Sequence, residues 1–128
     1  MRIFLDTSLL SDAELSRVSE LVLDRYIKGD QFFLSSISHF QIEWGYSSAN
    51  RSPKKYREFL RGFNVQVLPL TKLDAEEAAG MQPDDNDILD ALIASTVRRH
   101  DCILWAEDKD FLKFLPRSKV RIFRSCSE

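Results

Sequence analysis

Cysteine, proline and glycine are all scarce in this chain of 128 residues, which has two Cys, four Pro and four Gly. Cys102 and Cys126 are too few and too irregular for a disulfide framework, and no Cys/His spacing matches a zinc site. A reducing, cytoplasmic setting is the expectation. The shortage of proline and glycine excludes fibrous and low-complexity architectures. Long hydrophobic runs are also missing. The opening MRIFLDTSLL reaches Asp6 after three apolar residues, too short for a secretion signal. Nothing later approaches the roughly eighteen apolar residues of a membrane span. Nor is there an excess of base: 18 Lys and Arg against 20 Asp and Glu give a net charge of −2, without the global positive charge of many nucleic-acid binders.

What is present is enough apolar sequence for one core, with 44% hydrophobic and 30% charged residues. The length and composition predict a single folded domain over residues 1–128. Its charges are segregated. Residues 74–77 and 84–90 hold seven acids and no base, whereas residues 51–61 hold Arg51, Lys54, Lys55, Arg57 and Arg61 against Glu58 alone. Arg117, Lys119, Arg121 and Arg124 make the tail basic as well.

Periodicity predicts strands at 3–5, 31–36, 65–68, 103–106 and 120–123, separated by helices. Ser11 and Glu14 form a capping box for the first helix, with Leu15, Val18, Val22 and Tyr26 inward and Gly29 as its stop. Ser38 and Gln41 form a second box, which places Glu43 about a turn and a half into its helix. Ser52 and Pro53 start a third helix with Tyr56, Phe59, Leu60 and Phe63 on one face and Gly62 near its end. Thr71 caps a short helix ending near Gly80. Asp85 or Asn86 caps a longer one reaching His100, with Leu89, Leu92, Ile93 and Val97 inward. A last short helix at 111–115 stops at Pro116.

This alternation predicts a three-layer α/β/α sandwich around a mostly parallel sheet of about five strands. Functional groups of such sheets gather beyond the carboxyl ends of the strands. Asp6 directly follows the first strand, Asp108 follows the fourth, and the helices carrying Glu43 and Asp90 begin at the same edge. Each acid has an ordinary role open to it: Asp6 as a turn cap, Glu43 and Asp90 as solvated helix residues. As a group they are harder to explain. Two like charges about 4 Å apart cost about 4 kcal/mol at an effective dielectric near 20. A hard divalent cation, Mg2+ or Mn2+, is the economical counter-charge for oxygen ligands.

The segments FLDTSLL, EWG, DALIAS and AEDKDF, in this order and spacing, resemble the PIN domain of metal-dependent nucleases. The small single-domain members of that family are mostly VapC toxins of toxin–antitoxin pairs. The resemblance implies that Asp6, Glu43, Asp90 and Asp108 are catalytic, with Asp6, Asp90 and Asp108 as metal ligands and Glu43 as a further ligand or activator of water. Asp110, before Phe111, and Asp87, one turn before Asp90, are secondary candidates. Ser8 stands where the family often has Asn, and Ala106 where it often has Thr or Ser. The implied activity is hydrolysis of RNA phosphodiester bonds. Implied partners are RNA, a cognate antitoxin and a second copy of the chain.

RNA needs cations to hold its phosphates. Arg51, Lys54, Lys55, Arg57 and Arg61 are the candidates, with Arg98 and Arg99 behind them. Tyr56 and Phe59 have the spacing of core residues rather than of a stacking platform. Other readings are an idle PIN scaffold that only binds partners and a processing nuclease outside any toxin pair. A phosphatase with Asp6 as nucleophile lacks a second acid at position 8. A Ser-His-Asp hydrolase would have only His39 and His100 to draw on and has no G-x-S-x-G elbow.

Overall fold

The computed structural model describes residues 1–123; Arg124 and Cys126 lie outside the described residues. Five strands, β1 (Arg2–Leu5), β2 (Gln31–Ser35), β3 (Gln66–Leu68), β4 (Ile103–Ala106) and β5 (Val120–Ile122), form one sheet in the order β3-β2-β1-β4-β5. Every pairing is parallel. The helices are α1 (Asp12–Ile27), α2 (Ser36–Ser48), α3 (Lys54–Gly62), α4 (Lys72–Gly80) and α5 (Ile88–Arg99).

The central strand shows why layers form on both faces. Ile3, Phe4 and Leu5 are all fully buried. Because side chains alternate across a strand, Ile3 and Leu5 enter one core with Leu15, Val18 and Tyr56, while Phe4 enters the other with Ile93, Val97 and Phe111. α1 and α3 therefore cover one face and α5 the other, giving the α/β/α fold that the alternation predicts.

Several local expectations are corrected. Ser11 begins α1 without a side-chain cap bond, because Glu14 is buried and held by Arg17 instead. α2 starts three residues earlier than expected: β2 ends at Ser35, whose hydroxyl accepts from the Ile37 amide at 3.1 Å. Ser38 is thus inside the helix, fully buried, with no hydrogen-bond partner for its hydroxyl. Glu43 becomes the eighth residue of α2, beyond its second turn. Asp87, not Asp85 or Asn86, precedes α5, and Leu89 is exposed because Ala91, Ile93, Ala94 and Val97 take the sheet-facing side. Tyr26 is likewise exposed. Residues 109–113 form a 3-10 turn rather than an α-helix, and β3 and β5 are each a residue shorter than expected.

All five helices end in a residue with positive φ: Gly29, Asn50, Asn64, Gln82 and Asp101. Gly29, at φ +93°, was legible as a stop, while the other four carry a Cβ into the left-handed region. After four of them the chain closes a helix carbonyl, as in Arg51 N–H to Tyr46 O at 2.9 Å and Cys102 N–H to Val97 O at 3.0 Å.

α4 is tied to α5 by Asp74. Its side chain is fully buried, closes a capping box with Thr71 and accepts from Arg99 Nε at 2.7 Å. Burial pushes the Asp74 carboxyl up, but the bonds from Arg99 and Thr71 outweigh it and leave the group below the usual carboxylate range. Its contribution is therefore present above the ordinary aspartate pKa and fades as pH falls below it. Asp74→Asn is expected to lower unfolding stability by about 2 kcal/mol at pH 7, measured by urea denaturation. A loss that stays the same at pH 3 would contradict the charge-based account.

Candidate metal centre

Asp6 leaves β1 at the middle of the sheet. Its amide donates to Trp105 O at 3.0 Å, so the ends of β1 and β4 are joined where the acidic residues gather. The side chain is buried and accepts from Ser8 Oγ at 2.8 Å and Ser8 N–H at 3.4 Å. The capping role is thus real: Asp6 caps the 3-10 turn Thr7–Leu10. Ser8 Oγ also accepts from the Glu107 amide at 3.4 Å, linking Asp6 to the loop after β4. Burial raises the Asp6 pKa; the bonds from Ser8 and Thr7 oppose this, and the charge of Asp108 adds to it.

Asp90 stands in the first turn of α5. Its pKa is pushed up to about 6, first by burial and then by the charges of Asp108, Asp6, Asp87 and Asp110. These causes show which acids share one electrostatic neighbourhood. Asp108 is exposed and accepts from the Asp110 amide at 2.8 Å, capping the turn Lys109–Lys113. Oxygens of Asp87, Asp90 and Asp110 lie within 4.8 Å of one another. Lys113 Nζ is 3.0 Å from Asp87 and 3.6 Å from Asp110. Among the described residues, no Lys or Arg pairs with Asp6, Asp90 or Asp108. An all-oxygen donor set with uncompensated negative charge fits Mg2+ or Mn2+.

Glu43 is not brought into this neighbourhood. Arg57 grips it with two hydrogen bonds, one of them Nε to Oε2 at 2.9 Å. The bond from Arg57 is the main cause holding the Glu43 carboxyl below its usual range, against burial and with help from Arg57 and His39 charge. No acid of the Asp90 group acts on it. Gln41 instead reaches the residue after Asp6, its Oε1 accepting from Thr7 Oγ1 at 3.2 Å. Two residues along a helix turn a side chain through about 200°, so Gln41 and Glu43 occupy opposed faces of α2. Sequence reasoning passed over Gln41 because it took that residue for a cap; the true start of α2 at Ser36 is the signal that reveals its face. Lys113 was also missed, although its spacing three residues after Asp110 pointed to a pair.

The expected basic helix is present but partly engaged. Arg51 pairs with Asp12, Arg57 with Glu43, and Lys54 approaches Glu58 at 4.0 Å. All five cations remain exposed. A cleft of 420 Å³ is lined by Thr7, the residue after Asp6, and by Leu10, Gln41, Tyr46 and Arg51 among others. It shares Asp12 and Arg51 with a second hollow of 800 Å³ that adds Lys54 and Lys55. Arg98 and Arg99 are committed elsewhere, to Glu77 and Asp74. Neither histidine has a nucleophile: His39 Nδ1 bonds the Tyr56 hydroxyl at 2.7 Å and His100 lies against Arg99.

The PIN domain family model matches residues 3–114. Among solved structures, a toxin–antitoxin complex from Klebsiella pneumoniae is similar at 16% identity and TM-score 0.70, covering 95% of this chain and 98% of that one. VapBC2 from Rickettsia felis, bound to a DNA fragment from its promoter, is similar at 16% identity and TM-score 0.65, with the same coverage of 95% and 98%. A domain of a functionally unknown protein from Methanocaldococcus jannaschii matches at 16% identity and TM-score 0.63, covering 99% and 94%. At such identity the likeness is one of fold. No curated protein matches the chain.

The raised Asp90 pKa has a thermodynamic consequence. A carboxyl whose pKa rises on folding favours the folded state below its unfolded pKa, near 3.8, and loses that advantage as pH climbs through about 6. Asp90→Asn is therefore expected to raise the thermal midpoint of the protein in EDTA at pH 7, with the gain shrinking toward pH 4. Calorimetry across that range checks it; a mutant less stable than wild type at pH 7 would remove the electrostatic account.

Proposed function

Because the chain belongs to the PIN domain family, we propose that its acidic cleft is the catalytic centre of a metal-dependent endoribonuclease and that the chain is the toxin of a VapBC-type pair. The supporting observation is that Asp6, Asp90 and Asp108, none of them paired with a base among the described residues, share one neighbourhood with Asp87 and Asp110, where burial first and then the charges of these acids push Asp90 up to about 6. Bound Mg2+ or Mn2+ supplies acidification of water and neutralisation of charge developing at the scissile phosphate. Asp6, Asp90 and Asp108 would hold the ion. Ser8 fixes the Asp6 carboxylate through its 2.8 Å bond, and Gln41 presents an amide to the same edge beside Thr7.

Glu43 acts at one remove in this reading. By gripping Arg57 it sets a guanidinium on the surface of α3, next to exposed Phe40 and Trp44. The hollows that run from Thr7, the residue after Asp6, past Arg51 to Lys54 and Lys55 give the RNA backbone a cationic route beside the acidic group. Ala106, where the family often has a hydroxyl, is fully buried between Phe4 and Leu104 in the core, so its methyl serves packing. This favours an active site over an idle scaffold. A cognate antitoxin and a homodimer belong to the same proposal. Ile27, Phe40 and Trp44, exposed at 75%, 66% and 62%, offer apolar surface for such contacts.

Purified protein is expected to cut total RNA at discrete places with Mg2+ or Mn2+. Cutting should vanish in EDTA and in Asp6→Asn made identically; equal cutting by the mutant would sink the proposal. For the RNA route, replacing Lys54, Lys55 and Arg61 by Gln in the Asp6→Asn background should reduce the slope of log affinity against log salt by about two. An unchanged slope would place the RNA elsewhere.

A further inference from the structure

The acids at the carboxyl edge are not equally provided for. Asp87, 5% exposed, stands at the N-terminus of α5, and Lys113 Nζ donates to its Oδ2 at 3.0 Å. The same ammonium reaches Asp110 at 3.6 Å. Lys113 closes the 3-10 turn whose first turn is capped by Asp108, so one short segment carries two of the acids and the cation. Asp6, Asp90 and Asp108 have no such partner among the described residues.

We propose that Lys113 is a built-in counter-ion that divides the acidic group, binding Asp87 and Asp110 to itself and leaving Asp6, Asp90 and Asp108 free for the divalent cation. The inference rests on the metal-dependent reading above. Its physical basis is competition. The ammonium is a compact point charge on a flexible stem, close enough to offset one unit of the charge that the two carboxylates would otherwise bring to an incoming ion. Asp87 is buried and cannot be left bare without cost. Lys113 therefore steadies the fold when no divalent ion is bound and limits how strongly the site attracts one. It is a positioning residue, acting through the carboxylates it holds.

The test uses the full chain and Mn2+, followed by calorimetric titration and the paramagnetic resonance of free Mn2+. Lys113→Met is expected to bind Mn2+ about tenfold more tightly than wild type, Lys113→Arg to behave as wild type, and Asp87→Asn to bind nearly as well as wild type. In EDTA, Lys113→Met should melt lower, and adding Asp87→Asn should restore the midpoint. A folded Lys113→Met with wild-type Mn2+ affinity would overturn the proposal, as would loss of Mn2+ binding in Asp87→Asn as complete as in Asp6→Asn. Wild type that binds no Mn2+ would instead defeat the metal-dependent reading, and the melting comparison in EDTA would then decide the role of Lys113 alone.

Discussion

The pairing of β1 with β4 is the constraint on which the site depends. It joins Leu5 to Trp105 in register and lets the Asp6 amide donate to Trp105 O, closing a loop of about a hundred residues. Such closure is slow to reach and costs chain entropy. It is held by apolar side chains on both faces: Ile3, Phe4, Leu5, Leu104 and Trp105 are all buried. Once the strands are paired, Asp6 and the Glu107–Asp108 loop must meet, and Ser8 bonds to both sides. α5, running back into β4, brings Asp90 to the same edge from above. Packing thus forces together acids that repel one another.

That repulsion is left standing at Asp90 and answered elsewhere. Asp74, also buried, has Arg99 and a capping box, and its pKa falls below the usual range. Asp90, less buried, has neither, and its pKa rises to about 6. Burial pushes both carboxyls up, so the opposite outcomes follow from the partners that Asp74 has and Asp90 lacks. An acid tuned for stability is paired; an acid left unpaired is available to bind something cationic. The fold bears that strain because its apolar layers are extensive, as proteins commonly do at functional positions.

Much of this was legible in the sequence, for identifiable reasons. The strand IFL is apolar without a break because both its faces are covered, and Asp6 follows it at the carboxyl edge. Thr71 and Asp74 form a capping box at the spacing the sequence shows. The Ser38 box failed because a helix start depends on where the preceding strand stops pairing, and Ser35 still pairs with Leu68. Glu43 was assigned to the site by the resemblance of the EWG segment, whereas in the fold Arg57 holds it. The attachment of Glu43 to Arg57 could not be read at all, since it depends on how α3 packs against α2. The left-handed helix ends at Asn50, Asn64, Gln82 and Asp101 were equally hidden behind residues with a Cβ.

The segregation of charge along the chain becomes intelligible in three dimensions. A net charge of −2 argues against a general nucleic-acid binder, yet the fold gathers acids of the 84–110 stretch in one electrostatic neighbourhood and sets Arg51, Lys54 and Lys55 along hollows that hold none of them. A polyanion that entered the acidic edge alone would be repelled. One that lies along α3 meets Arg51, Lys54 and Lys55 first, and only a single phosphate need reach the acids. In the proposed reading, a cation from solution would cancel the repulsion at that phosphate, since Lys113 is paired with Asp87 and Asp110. On the proposed reading, the arrangement that makes the free protein electrostatically uneasy would make its interaction with a phosphodiester conditional on a divalent ion, with binding strength drawn from α3 and chemistry from the ends of β1, α5 and β4.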